Sequence, residues 1–153
     1  MQVVRTLEEL RSIVRGWKRE GLSVGFVPTM GALHAGHLSL VDLSTAQCDR
    51  TIASIFVNPT QFAPHEDLDS YPRQEQQDHD LLRGRGCDLV FCPEVSVMYP
   101  EGEETRVSVP QMGAKLEGPF RPHFFGGVAT VVAKLFNQVE PDKAFFGEKD
   151  YQQ

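Results

Sequence analysis

The sequence predicts an α/β domain built on a parallel, doubly wound sheet. Short apolar runs alternate with amphipathic stretches along the 153 residues, and short links join them. Strand, helix and strand in that order form a βαβ unit, which implies parallel pairing and a right-handed crossover. The first apolar run also ends in a turn rich in glycine and histidine that leads directly into a helix. Such turns lie at the carboxyl edge of a parallel sheet, where these folds bind ligands.

The first elements follow from local signals. Thr6 and Glu9 form a capping box, apolar residues then recur at helical spacing, and Gly21 ends the predicted helix. Residues 24–27 (VGFV) form the first buried strand, and we expect it to be central in the sheet. Its predicted neighbours are the strands at 51–57 and 143–146, because this order brings their polar loops to one switch point.

The remaining elements are predicted in the same way, from apolar periodicity and from glycine or proline at the ends. They are helices at about 36–46, 73–83 and 127–139, strands at 51–57 (TIASIFV), 88–92 (DLVFC) and 143–146, and a small edge element at 105–109 (TRVSV).

Composition excludes several classes of protein. Fifteen basic residues against 21 acidic ones give a net charge of −6, and no run of Lys or Arg offers a footprint for nucleic acid. No apolar segment reaches the roughly 18 residues of a membrane span, and the first residues lack a signal peptide. Cys48, Cys87 and Cys92 form no C-x-x-C motif, so we expect reduced thiols and a cytoplasmic protein.

The stretch 24–38 (VGFVPTMGALHAGHL) is the most informative part of the chain. A helix start presents unpaired N–H groups and the positive end of the helix dipole, which suits a phosphate. His34 and His37 share one face of that first turn and add two N–H donors. Two other interpretations stay open: a capping or solvated histidine, and an H-x-x-H metal pair. No Cys, Asp or Glu stands nearby in sequence to complete a metal set, so no protein metal site is predicted.

Two further polar loops follow predicted strands. Gly147 permits close backbone approach, Lys149 supplies a charge for phosphate, and Asp150 can accept from ribose hydroxyls. The alternative for this GEKD segment is a solvated reverse turn. Gln61, in the loop after the second strand, offers a donor and an acceptor to a hydroxyl or carboxylate, although a loop glutamine often faces only water. Three such loops on one sheet edge predict a nucleotide site.

The motifs PTMGALHAGH (28–37), FVNPTQF (56–62) and FFGEKDYQQ (145–153) resemble those of the pantothenate synthetase (pantoate–β-alanine ligase) family. The HAGH tetrapeptide at 34–37 is similar to the HIGH signature of a nucleotidyltransferase superfamily. The resemblance covers essentially residues 1–153 and implies the family's N-terminal, Rossmann-like domain, which binds nucleotide and pantoate. A C-terminal domain is then missing, and we expect a truncated chain. One departure is RPHFFGGV at 121–128, where the family commonly has R-P-G-H-F-x-G-V.

The resemblance implies an enzyme of vitamin B5 biosynthesis. ATP and pantoate would give pantoyl adenylate and pyrophosphate, and β-alanine would then displace AMP to give pantothenate. Magnesium would arrive with ATP, not in a protein cage. The partners are these small molecules, with neither nucleic acid nor a membrane, and the full-length protein is expected to be a homodimer. The truncated chain is expected to bind ligands and to have little or no activity.

The resemblance also implies roles for individual residues. His37, as proton donor, His34 and Lys149 are the predicted catalytic residues. The predicted ATP-binding residues are Met30, Gly31, Ala32, Leu33, His34, Ala35, Gly36, His37, Gly147, Glu148, Lys149 and Asp150. The predicted substrate-binding residues, for pantoate and β-alanine, are Pro28, Thr29, Met30, Gln61 and Gln153.

Three alternatives remain at this point. Another adenylyl-transferring enzyme of the HIGH class, such as a pantetheine-phosphate adenylyltransferase, would share the histidines but has no reason to carry the NPTQF and GEKDYQQ loops. A fragment of a class I aminoacyl-tRNA synthetase is disfavoured by the net charge of −6. The third alternative is a domain that binds ligand and catalyses nothing.

Overall fold

Helices and strands alternate along the chain as the sequence predicts. A computed structural model describes residues 1–62, 74–113, 115 and 124–152. The strands are β1 (Gln2–Val4), β2 (Val24–Thr29), β3 (Arg50–Ile55), β4 (Leu89–Phe91) and β5 (Lys143–Ala144). The helices are α1 (Leu7–Arg19), α2 (Ala35–Gln47), α3 (Glu75–Gly84), α4 (Val95–Met98), α5 (Pro110–Gly113) and α6 (Phe124–Val139), and two 3₁₀ turns occupy Pro59–Gln61 and Glu148–Asp150. None of the helices in these ranges is long and apolar enough to cross a membrane.

The five strands form one parallel sheet in the order β1-β4-β3-β2-β5. The chain steps from β2 through β3 to β4 in one direction and later returns to place β5 on the other side of β2. The carboxyl ends of β2 and β5 therefore meet at a switch point, where loops diverge and leave a crevice. The predicted neighbours of β2 are confirmed, although β3, not β2, is the middle strand of the five.

Successive side chains along each strand point to opposite faces of the sheet, and they form a hydrophobic core on each face. Phe26, Ile52 and Leu89 stand in register across three strands and pack against α1 and α6. The next residues along the same strands face the opposite side and pack against α2 and α3; they are Val27, Ala53 and Val90. All six side chains are fully buried. Helices cover both faces, as the doubly wound fold requires.

The first helix begins as the capping box predicts. Thr6 Oγ1 accepts from the backbone N–H of Glu9, and α1 runs to Arg19, just before Gly21 with its positive φ of 78°. Other predicted elements agree to within a few residues, and the structure shortens the strand predicted at 143–146 to two residues. The three cysteines are free thiols, and burial raises the pKa of Cys87 to about 11 and that of Cys92 to about 12.

One local prediction was wrong, and one strand was missed. Residues 105–109 are not an edge strand: the backbone of Val107 bonds to the hydroxyl of Thr130 on α6 in place of a neighbouring strand. Strand β1 was not predicted at all, because a three-residue strand with one buried side chain, Val4, carries too little pattern. Residues 121–123 of the unusual RPHFFGGV segment, and Gln153, lie outside the described residues.

Gly25 lets α2 lie unusually close to the centre of the sheet. A Cβ at this position would come within 2.1 Å of Ser44 Oγ and 3.0 Å of Cys48 Sγ. Ser44 is fully buried, and its hydroxyl shares a 2.7 Å hydrogen bond with that of Thr51. A side chain on Gly25 would therefore have to push the helix away or break this buried hydrogen bond.

We expect Gly25→Ala to lower the free energy of unfolding by about 1–3 kcal/mol, from overpacking and from the disturbed Ser44–Thr51 pair. Gly16→Ala is the matched control, because Gly16 lies inside α1 and its nearest neighbour to a new Cβ is 4.0 Å away. It should raise stability by about 0.5–1 kcal/mol through helix propensity. Urea denaturation of both variants tests this, and equal effects of the same sign would contradict it.

Candidate active site

The start of α2 carries a reciprocal histidine cap. His34 is the N-cap residue, and its Nδ1 accepts from the backbone N–H of Gly36 at 3.0 Å. The Nδ1 atom of His37 accepts from the backbone N–H of His34 at 3.2 Å, and the ring centroids lie 4.1 Å apart. An Nδ1 that accepts requires the proton of the neutral ring to be on Nε2. Both histidines are therefore held as Nε2–H donors at the positive end of a 13-residue helix.

The surroundings of His37 favour its neutral form. Burial lowers its pKa from the ordinary value, and a proton on His34 and the charge of Lys149 act in the same direction, whereas the carboxylates of Asp150 and Asp78 oppose the shift. A neutral imidazole donates one hydrogen bond through Nε2 without carrying a charge. The histidines thus do cap the helix, as one of the open interpretations held. The capping bonds also orient both rings so that they can donate hydrogen bonds to a ligand.

Asp78 holds the loop that precedes this helix. Its carboxylate accepts from the backbone N–H of Ala32 at 2.9 Å through Oδ2 and from that of Leu33 at 2.9 Å through Oδ1. Gly31 and Ala32 both have positive φ, 82° and 51°, a conformation that costs a non-glycine residue about 1 kcal/mol or more. With only 2% of its surface exposed, Asp78 provides the buried anchor that keeps this turn in place.

Asp78 lies in a helix that the sequence predicts, but no role was predicted for it. A signal was present, because Asp78 lies four residues before the core residue Leu82 and so faces the sheet with it. A carboxylate at an inward position requires partners, and these are almost always hydrogen-bond donors or a metal ion.

Gln61 lies on a second loop, which a buried amide orders. Asn58 Nδ2 donates to Gln61 Oε1 at 3.0 Å and to the carbonyl oxygen of Gly127 at 3.1 Å. Asn58 Oδ1 in turn accepts from the hydroxyl of Tyr99 at 2.8 Å. Gln61 is only 8% exposed, so it is not a loop glutamine that faces only water. Asn58 and Tyr99 are supporting residues that sequence reasoning missed.

The third loop is the 3₁₀ turn that follows β5. Lys149 Nζ bonds to both carboxylate oxygens of Asp150 at 2.9 Å, and its side chain is 70% exposed. An exposed pair of this kind contributes about 0–1 kcal/mol, so the lysine can turn toward an anion at little cost. The solvated turn that the sequence left as an alternative is the local structure, and Lys149 lines the same cleft as His34 and His37.

The three loops open onto one cleft of about 1450 Å³ at the switch point. Most of the predicted site residues line it: Pro28, Thr29, Met30, Ala32, His34, His37, Gln61, Gly147, Glu148, Lys149 and Asp150. Its apolar wall was not predicted from the sequence and comes mainly from Phe56, Phe62, Phe124, Val128, Val131, Phe136 and Phe146. A few polar groups therefore converge in a largely apolar groove, as in small-molecule sites.

Four predicted ATP-binding residues do not line this cleft; they are Gly31, Leu33, Ala35 and Gly36. Gly31 lies against Asp78, since a Cβ on it would be 3.1 Å from Oδ2, and Leu33 packs into the core. Gly36 lies under the His34 ring, with 2.8 Å between its would-be Cβ and His34 Cε1. Gly31 and Gly36 thus lie where a larger side chain would meet Asp78 and the His34 ring.

A doubly wound parallel sheet with a histidine-capped helix start at its switch point defines a nucleotide-binding, Rossmann-like domain. A family model described as pantoate-beta-alanine ligase matches residues 2–153. The chain therefore belongs to the pantoate-β-alanine ligase family, and the other two enzyme classes considered from the sequence are set aside.

Individual relatives agree. Pantothenate synthetase of Maricaulis maris is 60% identical over 148 residues, which cover 97% of this chain and 51% of that protein. Pantothenate synthetase of Caulobacter vibrioides is 59% identical over 151 residues, 99% of this chain and 53% of that protein. The chain thus spans about half the length of the curated relatives it matches.

Solved structures give the same fold. Pantothenate synthetase from Thermus thermophilus superposes with a TM-score of 0.91 at 51% identity, over 99% of this chain and 54% of that one. Pantoate-beta-alanine ligase from Francisella tularensis, complexed with beta-gamma ATP and beta-alanine, gives a TM-score of 0.94 at 41% identity. The match covers 100% of this chain and 59% of that one.

We expect Asp78→Asn to lower the free energy of unfolding by about 1–3 kcal/mol, because the amide NH₂ would face a backbone N–H and leave it unpaired. Asp80→Asn is the control on the same helix, where Asp80 forms only exposed contacts with Gln76 and Arg83. It should change stability by less than about 0.5 kcal/mol. Denaturant titration of the two variants decides, and equal losses would show that the Asp78 bonds to the loop contribute little.

We also expect the pKa of His37, measured by NMR titration, to lie below the usual value of about 6.5. His34→Asn retains a capping side chain but removes the neighbouring imidazole, so the pKa of His37 should move back toward that value. The unfolded chain binds the proton more readily, so the His37 contribution to stability is lost as the pH falls below about 6.5. An unshifted or raised pKa would contradict this environment.

Proposed function

We propose that this chain supplies the nucleotide- and pantoate-binding half of an enzyme that makes pantothenate from ATP, pantoate and β-alanine. The observation that carries the proposal is the pair of Nε2–H donors at the start of α2, in the same cleft as Lys149. Membership of the family supports the reaction, and the ATP and beta-alanine in the Francisella tularensis complex support the substrates.

In the first step a carboxylate oxygen of pantoate attacks the α-phosphorus of ATP. A new P–O bond forms, the bond to pyrophosphate breaks, and pantoyl adenylate remains. In the second step the amine of β-alanine attacks the acyl carbon, the C–O bond to AMP breaks, and a proton leaves the nitrogen. Both steps build negative charge on phosphate oxygens, and fixed donors at that place lower the barrier.

His34, His37 and Lys149 are the groups that would stabilise this charge. The two rings are fixed by their Nδ1 bonds, so they need no reorganisation when charge develops. Neutral His37 would act as a hydrogen-bond donor. Gly147, Glu148 and Asp150 would contact the nucleotide, with Asp150 exchanging Lys149 for the ribose hydroxyls. Magnesium would be carried in by the ATP phosphates.

Gln61 would bind pantoate, together with Pro28, Thr29, Met30 and Gln153. Asn58 fixes the amide oxygen of Gln61, so its NH₂ end is the natural donor to a pantoate hydroxyl or carboxylate oxygen. We further propose that the full-length protein is a homodimer and that residues 1–153 alone turn over slowly, because Lys149 and the cleft are open to water.

The reaction itself is tested with His37→Ala in the full-length protein. Pyrophosphate release from ATP and pantoate should fall about 100-fold or more, because one fixed donor to the transition state is lost. Ser39→Ala is the control in the same turn, where the hydroxyl only bonds to the carbonyl oxygen of Gly36, and it should retain activity. Near-normal release by a folded His37→Ala variant would reduce His37 to a helix cap. Residues 1–153, assayed alone, should form little pantothenate.

Gln61→Ala should weaken the binding of pantoate about tenfold or more, the cost of about 1–3 kcal/mol for an unpaired polar group. ATP affinity should change little, because Gln61 lies in the loop after β3, whereas the side chains proposed to bind phosphate lie on α2 and on the turn after β5. Separate calorimetric titrations of the two ligands test this assignment. Equal losses for both would mean that Gln61 supports the whole cleft and does not recognise pantoate.

A further inference from the structure

A second cluster of metal-binding groups lies outside the cleft. Glu75 and His79 stand on α3, four residues apart and therefore on one face of the helix. Cys92 immediately follows β4, and its Sγ faces the His79 ring. None of the three lines the cleft at the switch point. Cys92 and His79 are buried, with 5% and 6% of their surface exposed, while the side chain of Glu75 is 47% exposed and leaves a route from solvent.

Two of the three separations between the donor atoms match those of ligands around one ion, and the third would have to shorten on binding. His79 Nε2 lies 3.5 Å from Cys92 Sγ and 3.5 Å from Glu75 Oε1, and all three atoms lie within 4.8 Å of one another. A tetrahedral zinc site with ordinary Zn–S, Zn–N and Zn–O bonds has ligand atoms roughly 3.3–3.6 Å apart. The 3.5 Å between nitrogen and carboxylate oxygen exceeds the usual 2.7–3.2 Å of an N–H···O bond.

The donor set is also selective. One thiolate, one imidazole and one carboxylate suit Zn²⁺ or Co²⁺, whereas Mg²⁺ and Ca²⁺ require oxygen donors. Three protein ligands leave the fourth tetrahedral position to water, which the exposed side of Glu75 admits. Arg5 pairs with Oε1 of Glu75, the same oxygen that lies 3.5 Å from His79 Nε2. The half-exposed Glu75 side chain would therefore have to turn on ion binding, so that one carboxylate oxygen binds the ion and the other keeps Arg5.

We propose that Glu75, His79 and Cys92 form a three-ligand binding site for a zinc-type divalent ion. Binding would release the thiol proton of Cys92 to solvent and would fasten α3 to the carboxyl end of β4. Asp78, which holds the turn before α2, lies between Glu75 and His79 on the same helix. The ion would thus stabilise the helix that supports the active-site loop, without contacting the substrates.

The test is a titration of the tag-free, metal-free protein with Co²⁺ and, in competition, Zn²⁺. We expect one ion per chain, a thiolate-to-cobalt charge-transfer band, and a Tm that rises with Zn²⁺. Cys92→Ser should abolish the band, and Glu75→Gln and His79→Gln should each raise the Kd for Zn²⁺ about tenfold or more. Cys48→Ser is the matched control, because Cys48 is the more exposed thiol and should leave the band unchanged.

Glu75→Gln changes a side chain that is half exposed, so it tests the site even where Cys92→Ser or His79→Gln fails to fold. The proposal is overturned by the absence of a charge-transfer band at equimolar Co²⁺, by a band that survives Cys92→Ser, by its loss in Cys48→Ser, or by an unchanged Zn²⁺ affinity in Glu75→Gln. Each of these results leaves the assignment of the cleft untouched, because the two sites share no residue.

Discussion

The two hydrogen bonds from the backbone of Ala32 and Leu33 to the buried carboxylate of Asp78 are the constraint on which the site depends. The turn before α2 must reverse direction within a few residues after β2, and it does so with two consecutive positive φ values. Such a turn is stable only where its N–H groups have partners away from water. A carboxylate from α3 satisfies both, and thereby fixes where α2 begins and where its dipole points.

The histidine cap uses that fixed helix start for chemistry. Ser, Thr, Asp or Asn would cap α2 at least as well, so stability alone does not explain two histidines. What the histidines add is a second nitrogen on each ring. Because His34 and His37 accept with Nδ1, their Nε2–H groups face outward beside the first turn. Capping and donation to a ligand are thus performed by opposite sides of the same rings.

The apolar wall of the cleft depends on a close contact between α6 and the loop after β3. A Cβ on Gly127 would be 2.4 Å from the carbonyl oxygen of Thr60, so only glycine permits this approach. Asn58 joins the two segments by donating to both Gln61 and the Gly127 carbonyl. The same buried amide therefore positions a polar side chain of the site and the helix whose apolar face encloses it.

The sequence by itself determined the class of fold, most helices and strands, the neighbours of β2 and the loops that form the cleft. These follow from short-range signals: the capping box at Thr6, apolar periodicity, and the motif around His34 and His37. Tertiary structure alone decided that Asp78 anchors the turn, that Asn58 orders Gln61, that 105–109 is not a strand, and that Cys92 meets His79. Asn58 and Gln61 are only three residues apart, but Asn58 also bonds to Gly127, 69 residues away, and the other contacts join residues 13 to 46 apart. No local pattern specifies which of many polar groups will be brought within hydrogen-bond distance over such separations.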